Sequence, residues 1–341
     1  MKVSDFDFEL PGDRIALRPA GPRDAARLLY IRKTIEERIV AELPEILRPG
    51  DLLVLNDTRV LPVRLNGRCG DHAVEITLIA PDEGAWRAFA KPAKRLRSGD
   101  RVKFAPELTA QVVAKRARGE VVLDFGIEPD AVTRRLEDSG GMPLPPYIRR
   151  AADERDRTDY QTTFARRPGA IAAPTAGLHF TPELFAALDA REIGNCTVTL
   201  HVGAATFLPI RGDDINDHIL EAEWGEVGEA AAAALNEARA AGGRIVAVGT
   251  TSLRLLESAA SPDGTVRPFR GDTTLFIAPG YRFCTADLLM TNFHLPRSTL
   301  FMLVCAFAGT ERMKRAYAHA VGAGFRFCSY GDASLLDRAA P

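Results

Sequence analysis

Between residues 60 and 126 apolar and polar positions exchange with a period close to two. Val74, Ile76, Leu78 and Ala80 are separated by Glu75, Thr77 and Ile79, and short runs of the same kind recur at 86–90, 101–104, 109–114 and 121–125. Alternation of this length puts one set of side chains on each face of a strand, so the region predicts several closely spaced strands and a small β-barrel. From about residue 170 the texture changes to helix and strand in turn. Thr181 followed by Pro182 is an N-cap and first-turn signal for a helix through Glu192; Gly194 ends it, and 197–202 reads as a buried strand. The alanine-rich run 229–241 predicts a helix stopped by Gly242-Gly243, leading into a strand at 244–248. Such alternation implies an α/β sheet, mixed or parallel, with ligands at its strand ends. The one clear early strand, 52–55, fits that sheet better than the barrel, which makes the barrel an insertion.

Length and composition narrow the class. A chain of 341 residues, 46% hydrophobic and 26% charged, is expected to fold as two or three domains with a real core. Lys and Arg number 44 against 45 Asp and Glu, so nucleic acid would have to be met by a local patch. The longest apolar run, 300–308, spans nine residues, short of the roughly 20 needed to cross a bilayer. The acidic N-terminus carries no secretion signal, and the expectation is a cytoplasmic protein with no membrane partner. Five scattered cysteines without a C-x-x-C pair read as reduced thiols.

Three segments are rich in small and polar residues immediately before predicted helices: 173–181 (APTAGLHFT), 249–252 (GTTS) and 291–299 (TNFHLPRST). Backbone N–H groups and hydroxyls there would hold a carboxylate, a phosphate or a ribose; the competing reading is ordinary N-capping by Thr181, Ser252 and Ser298. His179, His201, His218 and His294 fall in or beside strand ends, where they are either structural or acid–base groups. No H-x-x-x-H or H-x-H pair supports a metal. The acidic run Asp213, Asp214, Asp217, Glu221 and Glu223 reads as either a cation site or a solvated loop, and the solvated loop is favoured except for Glu223 beside His218. On the barrel, Lys91, Lys94, Arg95, Arg97, Arg101 and Lys103 set six cations against one acid, Asp100, and Lys115, Arg116 and Arg118 follow. This is either a solvated face or the footprint of a phosphate backbone. No Walker loop, G-x-G-x-x-G or G-x-S-x-G is present.

Several longer words then combine: DFDFELP at 5–11, NDTRV at 56–60, MPLPPYI at 142–148, the 173–181 segment, TLHVG at 199–203, AVGTTS at 247–252, the 291–299 segment and SYGDA at 329–333. In this order, nearly end to end, they resemble the S-adenosylmethionine:tRNA ribosyltransferase-isomerase family of queuosine biosynthesis. The resemblance implies an α/β catalytic domain with a mixed sheet, discontinuous over 1–60 and 151–341, carrying a small β-barrel domain inserted at 61–150. It implies transfer of the ribosyl part of S-adenosylmethionine to 7-aminomethyl-7-deazaguanine at the tRNA wobble position, with isomerisation to epoxyqueuosine and release of adenine and methionine. S-adenosylmethionine would be ribosyl donor, tRNA the acceptor, no metal would be needed, and the protein would be a monomer. His179, His201, His218, His294 and Asp332 are the candidate catalytic groups. Arg59, Thr175, Gly177, Thr250, Thr251, Arg254, Asn292, Ser298 and Glu223 are the candidate substrate contacts, Arg59, Arg254 and Glu257 being equally readable as ion pairs of the pocket wall. Lys91, Lys94, Arg95 and Arg97 are the candidate tRNA contacts. A different acceptor on the same scaffold, or a non-catalytic tRNA-binding relative, are the alternative functions.

Two departures from the family pattern stand beside the expected pocket. Where the family has His-x-Met-His-x-Glu, this chain has His218-Ile219-Leu220-Glu221-Ala222-Glu223; where it has Gly-Ala-Gly-Thr-Phe, this chain places Ala205 at the third position. A carboxylate at Glu221 close to His218 would raise the proton affinity of that ring and make it a better donor.

Overall fold

The computed structural model describes residues 1–104, 108–203, 212–215, 218 and 220–339, excluding the side chain of Arg118. Ala205, Asp217 and Ile219 lie outside the described residues. The strands are β1 (Arg27–Ile31), β2 (Ile35–Ile39), β3 (Leu52–Asn56), β4 (Thr58–Val60), β5 (Arg64–Cys69), β6 (His72–Asp82), β7 (Ala85–Lys91), β8 (Arg101–Phe104), β9 (Thr109–Lys115), β10 (Glu120–Asp124), β11 (Arg167–Ala170), β12 (Gly194–Leu200), β13 (Glu223–Val227), β14 (Ile245–Val248), β15 (Phe269–Thr273), β16 (Leu288–Asn292) and β17 (Ala333–Asp337). The helices are α1 (Leu43–Ile46), α2 (Pro129–Ser139), α3 (Asp156–Asp159), α4 (Pro182–Asp189), α5 (Glu229–Ala240), α6 (Thr250–Ala259), α7 (Thr299–Ala308) and α8 (Thr310–Gly322).

A nine-stranded sheet runs in the order β15-β13-β12-β3-β14-β16-β17-β1-β2. Its centre, β12-β3-β14-β16, is parallel, and antiparallel pairing at β16-β17, β12-β13, β13-β15 and β1-β2 makes the whole sheet mixed. The central strands are covered on both faces, which is why LLVLN in β3 and IVAV in β14 are continuous buried runs without alternation. Strands β5 to β10 close a separate barrel, β10-β7-β6-β5-β8-β9. Here one face is wet, and β8 reads exposed, buried, exposed, buried along RVKF. All barrel strands lie between β4 and β11 in the chain, and those two pair in parallel where the barrel leaves and rejoins the α/β layer.

The sequence expectation for the helix at 181–192 needs correction. Helix α4 stops at Asp189, and the left-handed turn falls on Glu192 (φ 57°) rather than on a glycine. Gly194 is already paired with Leu52 as the first residue of β12, and the Glu192 carbonyl accepts from Gly50 N–H at 2.9 Å. Neighbouring chain, not local preference, sets this boundary. After α5 the glycine stop is as expected: Gly242 adopts φ 86°, and a Cβ on Gly243 would lie 2.0 Å from the Gly50 carbonyl.

The N-terminal word DFDFELP has a packing role. Phe8 meets Phe301 of α7 at 5.1 Å and Tyr317 of α8 at 5.2 Å between ring centroids, both edge-on, and Phe293 beside β16 joins the same cluster. Tyr317 then reaches out of this core, its hydroxyl accepting the His294 N–H at 3.0 Å. One end of the sheet is thereby fixed to its helices.

Candidate active site

At the carboxyl ends of β14 and β16, where an α/β sheet exposes its strand ends to ligands, lies a cleft of about 860 Å³. Thr175, His218, Glu223, Thr250, Thr251, Arg254, Asn292, His294 and Ser298 all line it. Nine of the expected site residues, from four separate parts of the chain, are therefore brought together. Val202, just past β12, completes the same wall.

The three polar segments before helices prove unlike one another. Thr181 Oγ1 accepts the Leu184 N–H at 3.1 Å and Ser298 Oγ accepts the Phe301 N–H at 3.2 Å, so α4 and α7 are ordinarily capped. Helix α6 begins after Gly249 (φ 91°) with no side-chain cap, and its first residues, Thr250 and Thr251, face the cleft. Its amino end is thus free to meet a negative group. Asn56, at the end of β3, steadies this turn: its Nδ2 donates to Thr251 Oγ1 at 3.3 Å and to the Leu200 carbonyl at 2.9 Å. The NDT word is legible as this tie between strand ends.

One turn into α6, Arg254 is 8% exposed and ion-paired with Glu223. Its Nε donates to the Leu275 carbonyl at 2.9 Å, while its Nη2 is buried without a partner among the described residues. Glu223 Oε1 in turn accepts the Gly203 N–H at 3.0 Å. A buried guanidinium with one idle donor pair in a cleft wall is arranged for an anionic oxygen. Glu257 lies elsewhere on α6 and holds the 284–285 backbone, accepting from Cys284 N–H at 3.0 Å and Thr285 N–H at 2.9 Å.

The histidines divide. His218 lines the cleft half-buried, edge-on to Phe276 with ring centroids 5.5 Å apart. Burial lowers its pKa from the ordinary 6.5, against the expectation from Glu221. The Glu221 carboxylate is exposed at the cleft and its charge acts instead on Arg87 of β7, which is bound to Glu120 at 2.7 Å. His294 is buried, its Nε2 3.1 Å from Thr291 Oγ1, and burial pushes its pKa down to about 3. His179 stands behind the cleft wall, its Nε2 3.3 Å from Asn292 Nδ2.

Besides His179, four expected residues lie off the cleft wall. His201 is wedged by packing: its Nδ1 is 2.7 Å from Thr58 Oγ1, its ring stacks on Trp224 at 5.1 Å, and a Cβ on Gly169 would strike it at 2.7 Å. Asp332 is buried in an ion pair with Arg326 at 3.1 Å and accepts the Arg27 N–H at 3.2 Å. Arg59 pairs with Glu137 of α2. Gly177 is buried under Phe164, which a Cβ there would meet at 2.8 Å. Conversely, Arg149, Phe276 and Arg297 line the cleft. Arg297 lies within a segment the sequence singles out, whereas Arg149 and Phe276 carry no local signal.

On the barrel, Lys91, Lys94, Arg95 and Arg97 are all exposed, as are Arg101, Lys103 and Lys115. Arg116 is engaged with Asp82 at 2.7 Å and Glu120 at 3.3 Å. Among the described residues no group of three or more His, Cys, Asp or Glu side chains is placed to hold a metal, and no helix is long and apolar enough to cross a membrane.

Comparison with known proteins identifies the family of the chain. The family model described as "Queuosine biosynthesis protein" matches residues 3–336. The chain is 57% identical over 343 residues to the S-adenosylmethionine:tRNA ribosyltransferase-isomerase of Rhodospirillum rubrum, covering 99% of both chains. It is 60% identical over 344 residues to the protein of the same name from Gluconacetobacter diazotrophicus, covering 99% of this chain and 97% of that one. The crystal structure of S-adenosylmethionine tRNA ribosyltransferase from Thermotoga maritima superposes with a TM-score of 0.56 at 37% identity, over 97% of this chain and 99% of that chain. The chain belongs to the queuosine biosynthesis family of S-adenosylmethionine:tRNA ribosyltransferase-isomerases.

Proposed function

We propose that the protein moves the ribosyl group of S-adenosylmethionine onto 7-aminomethyl-7-deazaguanine at the wobble position of tRNA and isomerises it to epoxyqueuosine, releasing adenine and methionine. The observation that carries this reading is the idle Nη2 of Arg254 beside the uncapped amino end of α6. Together they suit the methionine carboxylate, and Thr175, Thr250 and Thr251 stand within the same wall for ribose hydroxyls.

The sulfonium acidifies the adjoining C5′ hydrogens of the ribose, and a neutral imidazole is then a competent base. His218 suits that role best, being neutral at pH 7 and on the cleft wall. His294 is too weak a base for carbon deprotonation and instead presents a hydrogen-bonding ring to the reacting groups. Departure of adenine needs a proton or hydrogen bond, and the attacking amine must be neutral, so exclusion of water by the cleft favours both steps. The exposed cations Lys91, Lys94, Arg95 and Arg97 would hold tRNA phosphates.

The proposal includes a division into an α/β catalytic domain (1–60 with 151–341) and an inserted barrel domain (61–150), action as a monomer in the cytoplasm, and no metal requirement. Glu221 on the cleft wall, in place of the family histidine, supports a second reading in which the acceptor differs. Adenine and methionine are measured with S-adenosylmethionine and tRNA bearing the aminomethyl base, in the presence of chelator. Release that depends on the modified base supports the first reading; release with another acceptor supports the second; no release of adenine with any tRNA contradicts both.

A further inference from the structure

The cleft wall contains a buried side-chain carbonyl for which the described residues supply no donor. Asn292, at the end of β16, is 2% exposed; its Nδ2 faces His179 Nε2, and its Oδ1 has no partner. His179 does not line the cleft. It borders a separate space of about 10 Å³, one water in size, shared with Arg23 and Tyr330. An amide nitrogen only donates, so Nε2 of His179 is the bare, accepting nitrogen and the ring proton sits on Nδ1. The Arg23 backbone hydrogen-bonds the same ring, and a carbonyl only accepts, which holds that tautomer. Burial keeps the ring neutral, its pKa pushed down to about 4 against the opposing charge of Asp332. Turned over, the Asn292 amide would set Oδ1 against a bare ring nitrogen, two acceptors with no proton between them.

We propose that His179 is a positioning residue that locks Asn292 with its side-chain carbonyl toward the cleft, where it accepts a hydrogen bond from a donor-only nitrogen of S-adenosylmethionine. The inference rests on the ligand assigned under the proposed function. A ribose hydroxyl does not need the lock, because it both donates and accepts and satisfies either end of an amide. The purine 6-amino group and the α-ammonium group only donate, and each requires an oxygen opposite. A site built around such a donor rejects the analogue that lacks it, because the buried oxygen is then left unpaired.

The test is calorimetric binding of three ligands: S-adenosylmethionine, S-inosylmethionine with a 6-oxo group in place of the amine, and the analogue lacking the α-ammonium group. Each is titrated into the wild-type protein, His179→Gln and His179→Leu. Glutamine retains an acceptor for Asn292 Nδ2 and leucine does not. One analogue should bind the wild type about ten- to hundredfold more weakly than the parent. That ratio should survive in His179→Gln and shrink toward unity in His179→Leu, and which analogue is rejected identifies the donor nitrogen. Equal binding of all three ligands to the wild type overturns the proposal even where a variant fails to fold, as does an unchanged ratio in His179→Leu. The pH–rate profile of adenine release should be the same in His179→Gln as in wild type; a lost limb with at least hundredfold slower turnover would make His179 the base and overturn the positioning role. Retained ligand ratios without any adenine release would contradict the proposed reaction and leave this inference standing.

Discussion

Replacing Arg254 by methionine separates its structural work from its work on ligand. The side chain and that of Glu223 are each 9% exposed and joined as an ion pair, so the substitution leaves a buried carboxylate with the Gly203 N–H as its remaining donor among the described residues. Removing one member of a buried pair costs about 3–5 kcal/mol of stability, whereas replacing both by apolar groups of similar volume is often close to neutral. Urea unfolding should therefore show Arg254→Met strongly destabilised and the Arg254→Met, Glu223→Met double variant largely restored. Ligand affinity should not follow stability. A charge-assisted hydrogen bond to a carboxylate is worth about 1.5–3 kcal/mol, so both variants should bind S-adenosylmethionine roughly ten- to hundredfold more weakly, as read by calorimetry. If the double variant regained wild-type affinity together with its stability, Arg254 would be a wall ion pair and the idle Nη2 would hold nothing.

Three further outcomes follow from the geometry. Replacing Arg95 and Arg97 by alanine should weaken tRNA binding and flatten the dependence of log affinity on log salt by about one to two units, whereas Arg116→Ala, whose charge is engaged with Asp82 and Glu120, should leave that slope unchanged in the same filter-binding series. In pH–rate profiles, activity should rise to a plateau below pH 6.5 as His218 loses its proton, and His218→Gln should abolish that limb with at least a hundredfold lower plateau. His294 and His179, with pKa values about 3 and about 4 in the fold against 6.5 when exposed, are protonated first in the unfolded chain; stability is thus full above pH 6.5 and falls with pH until each fold-state value is reached. His294→Gln should remove about 1.4 kcal/mol per pH unit of that loss between pH 5.5 and 4, measured by urea unfolding.

The barrel was legible because each strand has one wet face, and period-two alternation records that directly. Its first strand β5, RLNGRC, left no such trace: a half-buried Cys69 and the close-packed Gly67 blur the pattern, a Cβ on that glycine meeting Phe104 at 2.7 Å. Strands β13 and β17 were equally hidden, since EWGEV is too polar and ASLLD too mixed in small, polar and apolar residues to announce a strand before a neighbour is known. Within the site, residue types pointed to strand ends that meet at one cleft, but distance along the chain says nothing about which nitrogen faces which wall. His201 and Asp332 had the same claim on paper as His294; a stacked Trp224 and a paired Arg326 set them apart. The open amino end of α6 differs from the capped ends of α4 and α7 only through Gly249 and through where the Ser298 and Thr181 hydroxyls turn.

Which part of the sulfonium substrate reaches the nucleic acid distinguishes ribosyl transfer from methyl transfer. S-adenosylmethionine labelled in the ribose, and a second batch labelled in the methyl group, are each incubated with the protein and tRNA carrying the aminomethyl base, and the tRNA is then digested to nucleosides. Ribose label should appear in one modified nucleoside, in equal amount to the adenine released, with the methyl label remaining entirely in free methionine. Methyl label on the tRNA, or ribose label confined to small soluble products, would contradict it.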